Sequence, residues 1–256
     1  MRMIKEQNRH RKLSPWLLLI LAPVIIAGIF VGWAATPLGP MPEALSALQS
    51  TSQVKVDTKP WLTFTLDGSI PTTGLIIYPG GRVDPRSYAP TALSIASQGY
   101  LVIIVPMPLN LAVFSPGAAS KVIVAHPEIK HWAIGGHSLG GAMAANFIHN
   151  HPGIIQGLFL WASYPATSDK LATYDLLVTS IFGSLDGLAN HAKIDASRPW
   201  LPSNTIWVEI IGGNHAQFGW YGIQPGDNPA AISRIEQQDQ VVSATINLLV
   251  QISNTP

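Results

Sequence analysis

Three segments of the sequence carry a serine, an aspartate and a histidine in settings that suit nucleophilic catalysis. The first is GHSLG at residues 136–140, in which Ser138 stands between two glycines. A serine hydroxyl is a weak nucleophile until a base removes its proton and an acid orients that base. Downstream, GSLDG supplies Asp186 and GGNHAQFG supplies His215. Serine, then acid, then histidine is one of the chain orders in which such a triad occurs.

The residues around Ser138 predict a strand, a tight turn and a helix. HWAIGG is apolar and rich in strand formers, GHSLG provides the turn, and LGGAMAANFIHN follows as a helix. Side chains at Gly136 or Gly140 would clash with the neighbouring strand and helix, so glycine is needed there. A strand–turn–helix junction of this kind is the setting of a nucleophile elbow. Ser138 is therefore the predicted nucleophile, and a plain glycine-rich bend is the alternative.

The predicted acid and base each follow an apolar strand. Asp186 comes directly after LLVTSIFG, where it either orients the base or caps the following turn. His215 follows the strand at 205–211 and a Gly212-Gly213 bend, which makes it the predicted base. Asp169 and Asp175 precede their strand and are weaker acid candidates. The remaining histidines are less suitable: His137 belongs to the elbow and is predicted to pack or hydrogen-bond, His191 follows Asp186 too closely, and the others are His10, His126, His131, His149 and His151.

An oxyanion hole needs two backbone N–H groups aimed at one carbonyl oxygen. One is predicted at Leu139, the first helical residue after the nucleophile, where free donors and the helix dipole meet. The other is predicted in the loop PGGR after an early strand, with Gly81 the preferred donor and Arg82 the second choice. The side chain of Arg82 is expected to pair with Asp84 rather than to bind an acidic substrate group.

Around these motifs, short apolar runs alternate with helical segments over most of the chain. Strands alternating with helices indicate an α/β domain with a largely parallel sheet. The predicted strands are Trp61–Leu66, Gly74–Tyr78, Tyr100–Val105, His131–Ile134, Gly157–Trp161, Leu177–Phe182 and Thr205–Ile211. The predicted helices are about Ser87–Ser97, Ala118–Ala125, Leu139–Asn150 and a last one that begins at Asn228-Pro229 and runs towards Gln251.

The composition limits the class of protein. Hydrophobic residues make up 47% of the 256 and charged residues 11%, with a formal net charge of +1. Such a chain can bury a large core, and it differs from disordered or nucleic-acid-binding proteins, which carry far more charge. The sequence contains no cysteine, so disulfides, thiolate metal sites and a cysteine nucleophile are excluded.

The charge is uneven along the chain. The first twelve residues hold five basic side chains and one acidic, while the rest holds ten basic and thirteen acidic. Residues 16–35 then run without a charge, enough for a helix of roughly 30 Å, the thickness of a bilayer core. We therefore expect a cytoplasmic tail at 1–15, a transmembrane signal-anchor helix at 16–35, a tether at 36–58 and an extracytoplasmic catalytic domain at 59–256. Secretion after signal cleavage near Trp33 is the alternative.

From Trp61 to Ile252 the chain resembles the α/β-hydrolase superfamily, in particular its small lidless esterases and dienelactone-hydrolase-like members. The resemblance rests on PGG, GHSLGG, GSLDG and GGNHAQFG in this order. It implies an eight-stranded, mostly parallel sheet without a large cap, and a serine hydrolase reaction that uses no cofactor and no metal. Two positions depart from the family: Pro79 stands where many lipases carry histidine, and Ser138 replaces the cysteine of dienelactone hydrolases.

Together these features predict an enzyme that acts on a small-molecule ester, with no nucleic-acid partner. We expect a carboxylesterase for small or medium acyl esters that forms an acyl-enzyme on Ser138. A lipase or thioesterase at the membrane surface, or a non-catalytic binding module on the same fold, are the alternatives. Apolar residues near strand ends or near His215 are candidates for the substrate pocket: Met107, Leu109, Trp161, Tyr164, Phe218 and Trp220.

Overall fold

The computed structural model describes residues 15–255 and shows one eight-stranded sheet flanked by helices. The predicted tail at 1–15 lies outside the described residues except for Pro15. The strands are β1 (Val54–Asp57), β2 (Leu62–Leu66), β3 (Thr73–Tyr78), β4 (Leu101–Ile104), β5 (His131–His137), β6 (Gly157–Trp161), β7 (Leu177–Gly183) and β8 (Ile206–Ile210). The helices are α1 (Pro15–Ala35), α2 (Pro42–Ser46), α3 (Ala89–Ala96), α4 (Ala119–Ala125), α5 (Leu139–Asn150), α6 (His191–Ser197) and α7 (Arg234–Ser253), with short 3-10 turns between some of them.

The sheet is parallel except at one end. Its strand order is β1-β2-β4-β3-β5-β6-β7-β8, and the β1–β2 and β2–β4 pairs are antiparallel. All pairs from β4–β3 to β7–β8 are parallel. The carboxyl ends of β3, β5, β7 and β8 therefore meet at one edge, where loops from distant parts of the sequence come together. The predicted α/β-hydrolase fold with a mostly parallel eight-stranded sheet is confirmed.

The core lies in two layers because both faces of the sheet are covered. On β3, Leu75 and Ile77 face the layer that contains residues of α3 and α7, while Ile76 and Tyr78 face the layer that contains residues of α4 and α5. Side chains alternate between the two faces of a strand, so a strand buried on both faces is apolar throughout. This explains the uninterrupted run GLIIY.

Several element boundaries differ from the predictions. The last helix begins at Arg234 rather than at Asn228-Pro229, because Ser233 and Glu236 form a capping box that satisfies the first-turn N–H groups. Helix α6 was not predicted, and Asn190 caps it. The predicted tether at 36–58 contains α2 and also β1, which pairs with β2 as the edge strand of the sheet.

The amino-terminal helix α1 packs on the domain only near its carboxyl end. Ala34 is fully buried, whereas Leu19, Val24 and Ile29 each expose more than 60% of their surface. A search of the described residues found no helix long and apolar enough to cross a membrane.

Candidate active site

Ser138 occupies a strained turn between β5 and α5. Its backbone has φ 51° and ψ −122°, a region that residues with a side chain rarely adopt. The turn is held by its N–H, which donates to the Trp161 carbonyl at 2.9 Å. A Cβ atom at Gly136 or Gly140 would lie 2.0 or 2.1 Å from the Tyr78 carbonyl oxygen. The predicted need for glycine on both sides of the serine is thus met by close contact with β3.

Ser138 borders a small cavity at the carboxyl edge of the sheet. The cavity has a volume of about 300 Å³. Its walls are mostly apolar and are formed by Ser138, Leu139, Ala142, Ala162, Ser163, Tyr164, Leu188, Ala189 and His215. The predicted nucleophile and the predicted base therefore face the same space.

Asp186 and His215 form a buried pair beside that cavity. Asp186 Oδ2 lies 2.8 Å from His215 Nδ1, and both side chains are almost completely shielded from solvent. The other carboxylate oxygen accepts the N–H groups of Leu188 at 2.8 Å and Ala189 at 2.7 Å. His215 Nε2 is buried and has no hydrogen-bond partner within residues 15–255. The pair thus leaves one imidazole nitrogen free beside the cavity.

The loops that carry this pair are held by polar residues that the sequence did not single out. Asp227 accepts the N–H of Gly187 at 3.0 Å through one oxygen and the N–H of Ala216 at 2.8 Å through the other. Gln237 on α7 accepts the Asn214 N–H and donates to the Asn214 carbonyl. These contacts fix the residues directly next to Asp186 and His215 in the chain.

Arg234, also on α7, holds the segment that follows His215. Its guanidinium donates to the carbonyls of Ala216, Gly219 and Gly222. A guanidinium in this position closes a loop by satisfying several carbonyl groups at once. No motif marks Asp227, Arg234 or Gln237 in the sequence, because their partners are backbone groups of other segments.

The loop after β3 presents one free backbone N–H towards the elbow. The N–H of Gly80 donates to the Tyr88 hydroxyl at 2.9 Å, and that of Arg82 donates to the Asn110 carbonyl at 2.8 Å. Within residues 15–255, the N–H groups of Gly81 and Leu139 have no acceptor. A Cβ added to Gly81 would lie 3.2 Å from Leu139 Cδ2, so the two residues are neighbours. Of the two predicted candidates in this loop, Gly81 is available as a donor and Arg82 is not.

The side chain of Arg82 has a different partner from the one expected. It donates to the carbonyls of Trp33 at 2.8 Å and Thr36 at 2.7 Å, and its guanidinium lies 4.2 Å above the Trp33 ring. Asp84 pairs instead with Arg86, two residues further along. The expected Arg82–Asp84 pair is wrong because φ of 57° at Arg82 places this residue against the carboxyl end of α1.

Most of the predicted pocket residues belong to the core instead. Tyr164 lines the cavity, but Met107, Trp161 and Phe218 are buried among other side chains. Trp161 donates its indole N–H to Thr245, and Phe218 stacks on His137. Trp220 borders a separate small cavity against α7. These residues follow strand ends in the sequence, but their side chains pack in the core or line another cavity rather than the one beside Ser138. Leu109, which has φ of 51°, lies in the loop after β4 and does not line the cavity.

His137 packs against the ring of His215. Its ring centroid lies 4.4 Å from that of His215, and its side chain is fully buried. Burial, as the largest cause, and the neighbouring His215 hold the pKa of His137 well below its usual value. The weaker acid candidate Asp169 bonds to Asn146 and Ser168, away from this site. No cluster of three His, Asp or Glu side chains suited to a metal ion occurs in the part of the chain that the structure describes.

Comparisons with known proteins agree with this fold. Residues 74–239, more than half of the chain, match the model of the alpha/beta hydrolase family. A search of curated proteins found no match. Among solved structures, Est1E from Butyrivibrio proteoclasticus is similar with a TM-score of 0.57 and 11% identity, over 80% of this chain and 100% of that one. A protein described as a predicted CIB-like hydrolase from Thermoplasma acidophilum has a TM-score of 0.55 and 16% identity, over 79% of this chain and 100% of that one.

Proposed function

The chain belongs to the alpha/beta hydrolase family, and on that premise we propose that it is a serine hydrolase with Ser138 as nucleophile. The observation that carries the proposal is the common cavity of Ser138 and His215, with Asp186 paired to the far side of the imidazole. A strained serine, a free imidazole nitrogen and a buried carboxylate are the three parts that acyl transfer requires.

In the proposed reaction, Ser138 Oγ attacks the carbonyl carbon of an ester. His215 Nε2 takes the serine proton and then gives it to the leaving alcohol, while Asp186 holds Nδ1–H and stabilises the imidazolium. The N–H groups of Gly81 and Leu139 stabilise the oxyanion of the tetrahedral intermediate. Water then attacks the acyl-enzyme as His215 accepts its proton; the bond between the acyl carbon and Ser138 Oγ breaks, His215 returns the proton to Ser138, and the carboxylic acid leaves.

Ser138 and His215 do not form a side-chain hydrogen bond in this structure, since His215 Nε2 has no partner among residues 15–255. Such contacts commonly tighten only when substrate binds. The backbone of Ser138 is held at both ends, because its N–H donates to the Trp161 carbonyl and its carbonyl accepts the Ser163 hydroxyl at 2.6 Å.

The cavity supports a small or medium acyl ester as substrate. Its volume of about 300 Å³ equals that of about ten water molecules at ~30 Å³ each. Three alanines, Ala142, Ala162 and Ala189, line it and keep it open. The similar structures share too little sequence with this chain to indicate the acyl group, because a likeness at this level reports the fold alone.

A second candidate is a lipase or thioesterase that works on acyl chains at an apolar surface. One observation favours it. Val113 and Phe114 are half exposed in the segment that follows Asn110, the partner of the loop at residues 79–82, which is called the oxyanion loop below. Phe114 also contacts Phe30 of α1 edge to face. Exposed apolar side chains next to each other are typical of surfaces that meet lipid or another protein.

We also propose an extracytoplasmic location with the amino terminus in the cytoplasm. The support is the basic segment 1–12 followed by the uncharged run at 16–35. Membrane fractionation, combined with sequencing of the mature amino terminus, distinguishes an anchored chain from one cleaved near Trp33. Recovery of the full-length chain in the soluble cytoplasmic fraction contradicts the location without affecting the proposed chemistry.

Labelling by a fluorophosphonate tests the proposed activity without knowledge of the substrate. We expect the reagent to modify Ser138, as mapped by peptide mass spectrometry, and Ser138→Ala to abolish labelling. Turnover of p-nitrophenyl esters should then fall by roughly four to six orders of magnitude. Ser94→Ala, which removes an exposed hydroxyl on α3, is the matched control and should behave as the wild type.

Rates across p-nitrophenyl esters of increasing chain length distinguish the two enzyme candidates. A maximum at short chains supports the esterase, and a maximum at long chains presented in micelles supports the lipase. A folded wild-type protein that is not labelled would indicate a non-catalytic binding module.

A further inference from the structure

A buried hydrogen-bond chain joins the oxyanion loop to the residue before the nucleophile. The N–H of Gly80 donates to the Tyr88 hydroxyl at 2.9 Å, and Tyr88 Oη lies 3.0 Å from His137 Nδ1. The side chains of Tyr88 and His137 expose no surface. A Cβ at Gly80 would lie 2.5 Å from His137 Nδ1. The three residues are therefore packed too closely to move independently.

The protons in this chain can be assigned from burial and hydrogen bonding. Burial raises the pKa of the Tyr88 phenol and lowers that of His137, so both groups are neutral. Among residues 15–255 the Tyr88 hydroxyl has no acceptor other than His137 Nδ1, so its proton is directed to that nitrogen. The imidazole proton of His137 then lies on Nε2.

His137 contacts the catalytic histidine as well as Tyr88. The two imidazole rings lie 4.4 Å apart at an angle of 51°, and Phe218 stacks on His137 at 5.9 Å. The His137 Nε2 atom is buried with no hydrogen-bond partner among the described residues. The backbone of His215 partly offsets the lowering of the His137 pKa.

The other titratable groups around His137 are neutral or lie further away. Tyr221 faces its ring at 6.0 Å, and burial raises the pKa of this phenol. The pKa of Tyr221 is also affected by the charges of Asp186, Arg234 and Asp227. Asp186 is hydrogen-bonded to His215, which in turn packs against His137. His215 is thus the group next to His137 that gains a charge during the reaction.

We propose that Tyr88 and His137 are positioning residues that hold the oxyanion loop and His215 in fixed positions relative to Ser138. The inference rests on the serine hydrolase reaction proposed above. Tyr88 fixes Gly80, the neighbour of the oxyanion donor Gly81. His137 supports His215 with a ring that stays neutral, and a charged ring there would oppose the imidazolium that forms when His215 takes the serine proton.

The chain offers a matched pair of tyrosines for the test. Tyr78 is as fully buried as Tyr88, and its hydroxyl also accepts a backbone N–H, that of Ala119 at 2.7 Å, and donates to the Pro116 carbonyl at 2.8 Å. Its side chain lies in the other core layer, with residues of α4. Tyr88→Phe and Tyr78→Phe therefore remove equivalent buried hydroxyls and leave both backbones unchanged; one hydroxyl lies beside His137 and the other in the core layer on the opposite face of the sheet.

The readout is the rate at which fluorophosphonate labels Ser138, measured against reagent concentration and pH. We expect Tyr88→Phe to lower the maximal rate about 10- to 100-fold and to change the half-saturating concentration by less than about threefold. The acid limb of its pH profile should stay as in the wild type, because burial, the largest cause of the low pKa of His137, is unchanged. Tyr78→Phe should leave both the labelling rate and the acid limb of its pH profile as in the wild type.

Two further variants keep the test decisive if Tyr88→Phe fails to fold. His137→Gln retains an oxygen that can accept from Tyr88, whereas His137→Leu does not, so the glutamine variant should label faster. Equal rates for these two, or equal maximal labelling rates for Tyr88→Phe and Tyr78→Phe, overturn the inference. A folded wild type that is not labelled overturns the serine hydrolase function itself, and the inference with it.

Discussion

The two sides of the Ser138 cavity are held in place by different means. On one side, Asp186 and His215 are fixed by side chains, namely Asp227 and Gln237 acting on the backbone of the two loops. On the other side, the oxyanion loop is fixed mainly by close packing at Gly80 and Gly81. The N–H group of Gly80 donates to the buried Tyr88 hydroxyl, and that of Arg82 donates to the Asn110 carbonyl.

This difference determines which substitutions should harm each side. A side-chain contact on the acid–histidine side can be removed by one polar substitution that leaves the backbone unchanged. The oxyanion donors are backbone N–H groups, which no ordinary substitution removes, so this side is harmed by added volume or by loss of the Tyr88 hydroxyl that holds Gly80.

The largest effect is expected on the acid–histidine side. His215→Ala removes the base and should lower turnover by roughly four to six orders of magnitude, and Asp186→Asn should lower it by roughly three to four. The unfolding temperature should change little for Asp186→Asn, because the amide oxygen can still accept an N–H from Leu188 or Ala189. Steady-state rates and thermal unfolding of the same preparations check both. Wild-type turnover in either variant excludes the proposed triad.

Added volume in the oxyanion loop should have the next largest effect. Gly80→Ala places a Cβ 2.5 Å from His137 Nδ1 and 3.0 Å from the Tyr88 hydroxyl, so the loop must shift away from Leu139. We expect kcat to fall about 10- to 100-fold, less than the loss of one complete oxyanion donor, which costs about 10²- to 10³-fold. Gly117→Ala is the control, because no atom lies within 4 Å of its added Cβ. A similar kcat for both variants argues against the loop's role.

Removal of Asp227 should loosen both catalytic loops together. Asp227→Ala leaves the N–H groups of Gly187 and Ala216 without their acceptor, which should lower the free energy of unfolding by about 1–3 kcal/mol. We expect kcat to fall by up to about tenfold. Denaturant unfolding and steady-state kinetics measure the two effects. Asp239→Ala removes an equal charge from the exposed face of α7, and equal losses in the two variants would mean that charge rather than positioning is responsible.

The smallest effect is expected from the contact between α1 and the oxyanion loop. Arg82→Ala removes three contacts with the end of α1 and should change kcat by less than about threefold, because partly exposed hydrogen bonds contribute only about 0.5–1.5 kcal/mol each. Arg82→Gly should be the more stable of the two, since glycine adopts the positive φ of this position without the strain of about 1–2 kcal/mol. Thermal unfolding ranks them. A loss of kcat as large as that of Gly80→Ala would show that α1 controls the oxyanion loop.

Local sequence determined the central elements of the fold well. The helix Leu139–Asn150 and the strand Gly157–Trp161 were predicted with the bounds that the structure has, because apolar periodicity and the flanking Gly and Pro residues act within one segment. The edge strand β1 was missed, since the apolar–polar alternation of VKVD is only four residues long and its strand is completed by pairing with β2. The start of α7 was misplaced because a capping box at Ser233 outweighs an Asn-Pro pair.

The sequence by itself determined which residue types stand at the proposed catalytic positions and in what order. The Gly-x-Ser-x-Gly elbow and the strands before Asp186 and His215 are local features, and parallel strands must end at one edge of the sheet. Only the tertiary structure decided what surrounds them: that Trp161 and Phe218 are core residues, that Arg82 holds the end of α1, and that Asp227 joins two loops. The physical reason is that these contacts join residues far apart in the chain, and those of Arg82 and Asp227 are made to backbone groups, which leave no pattern in the sequence.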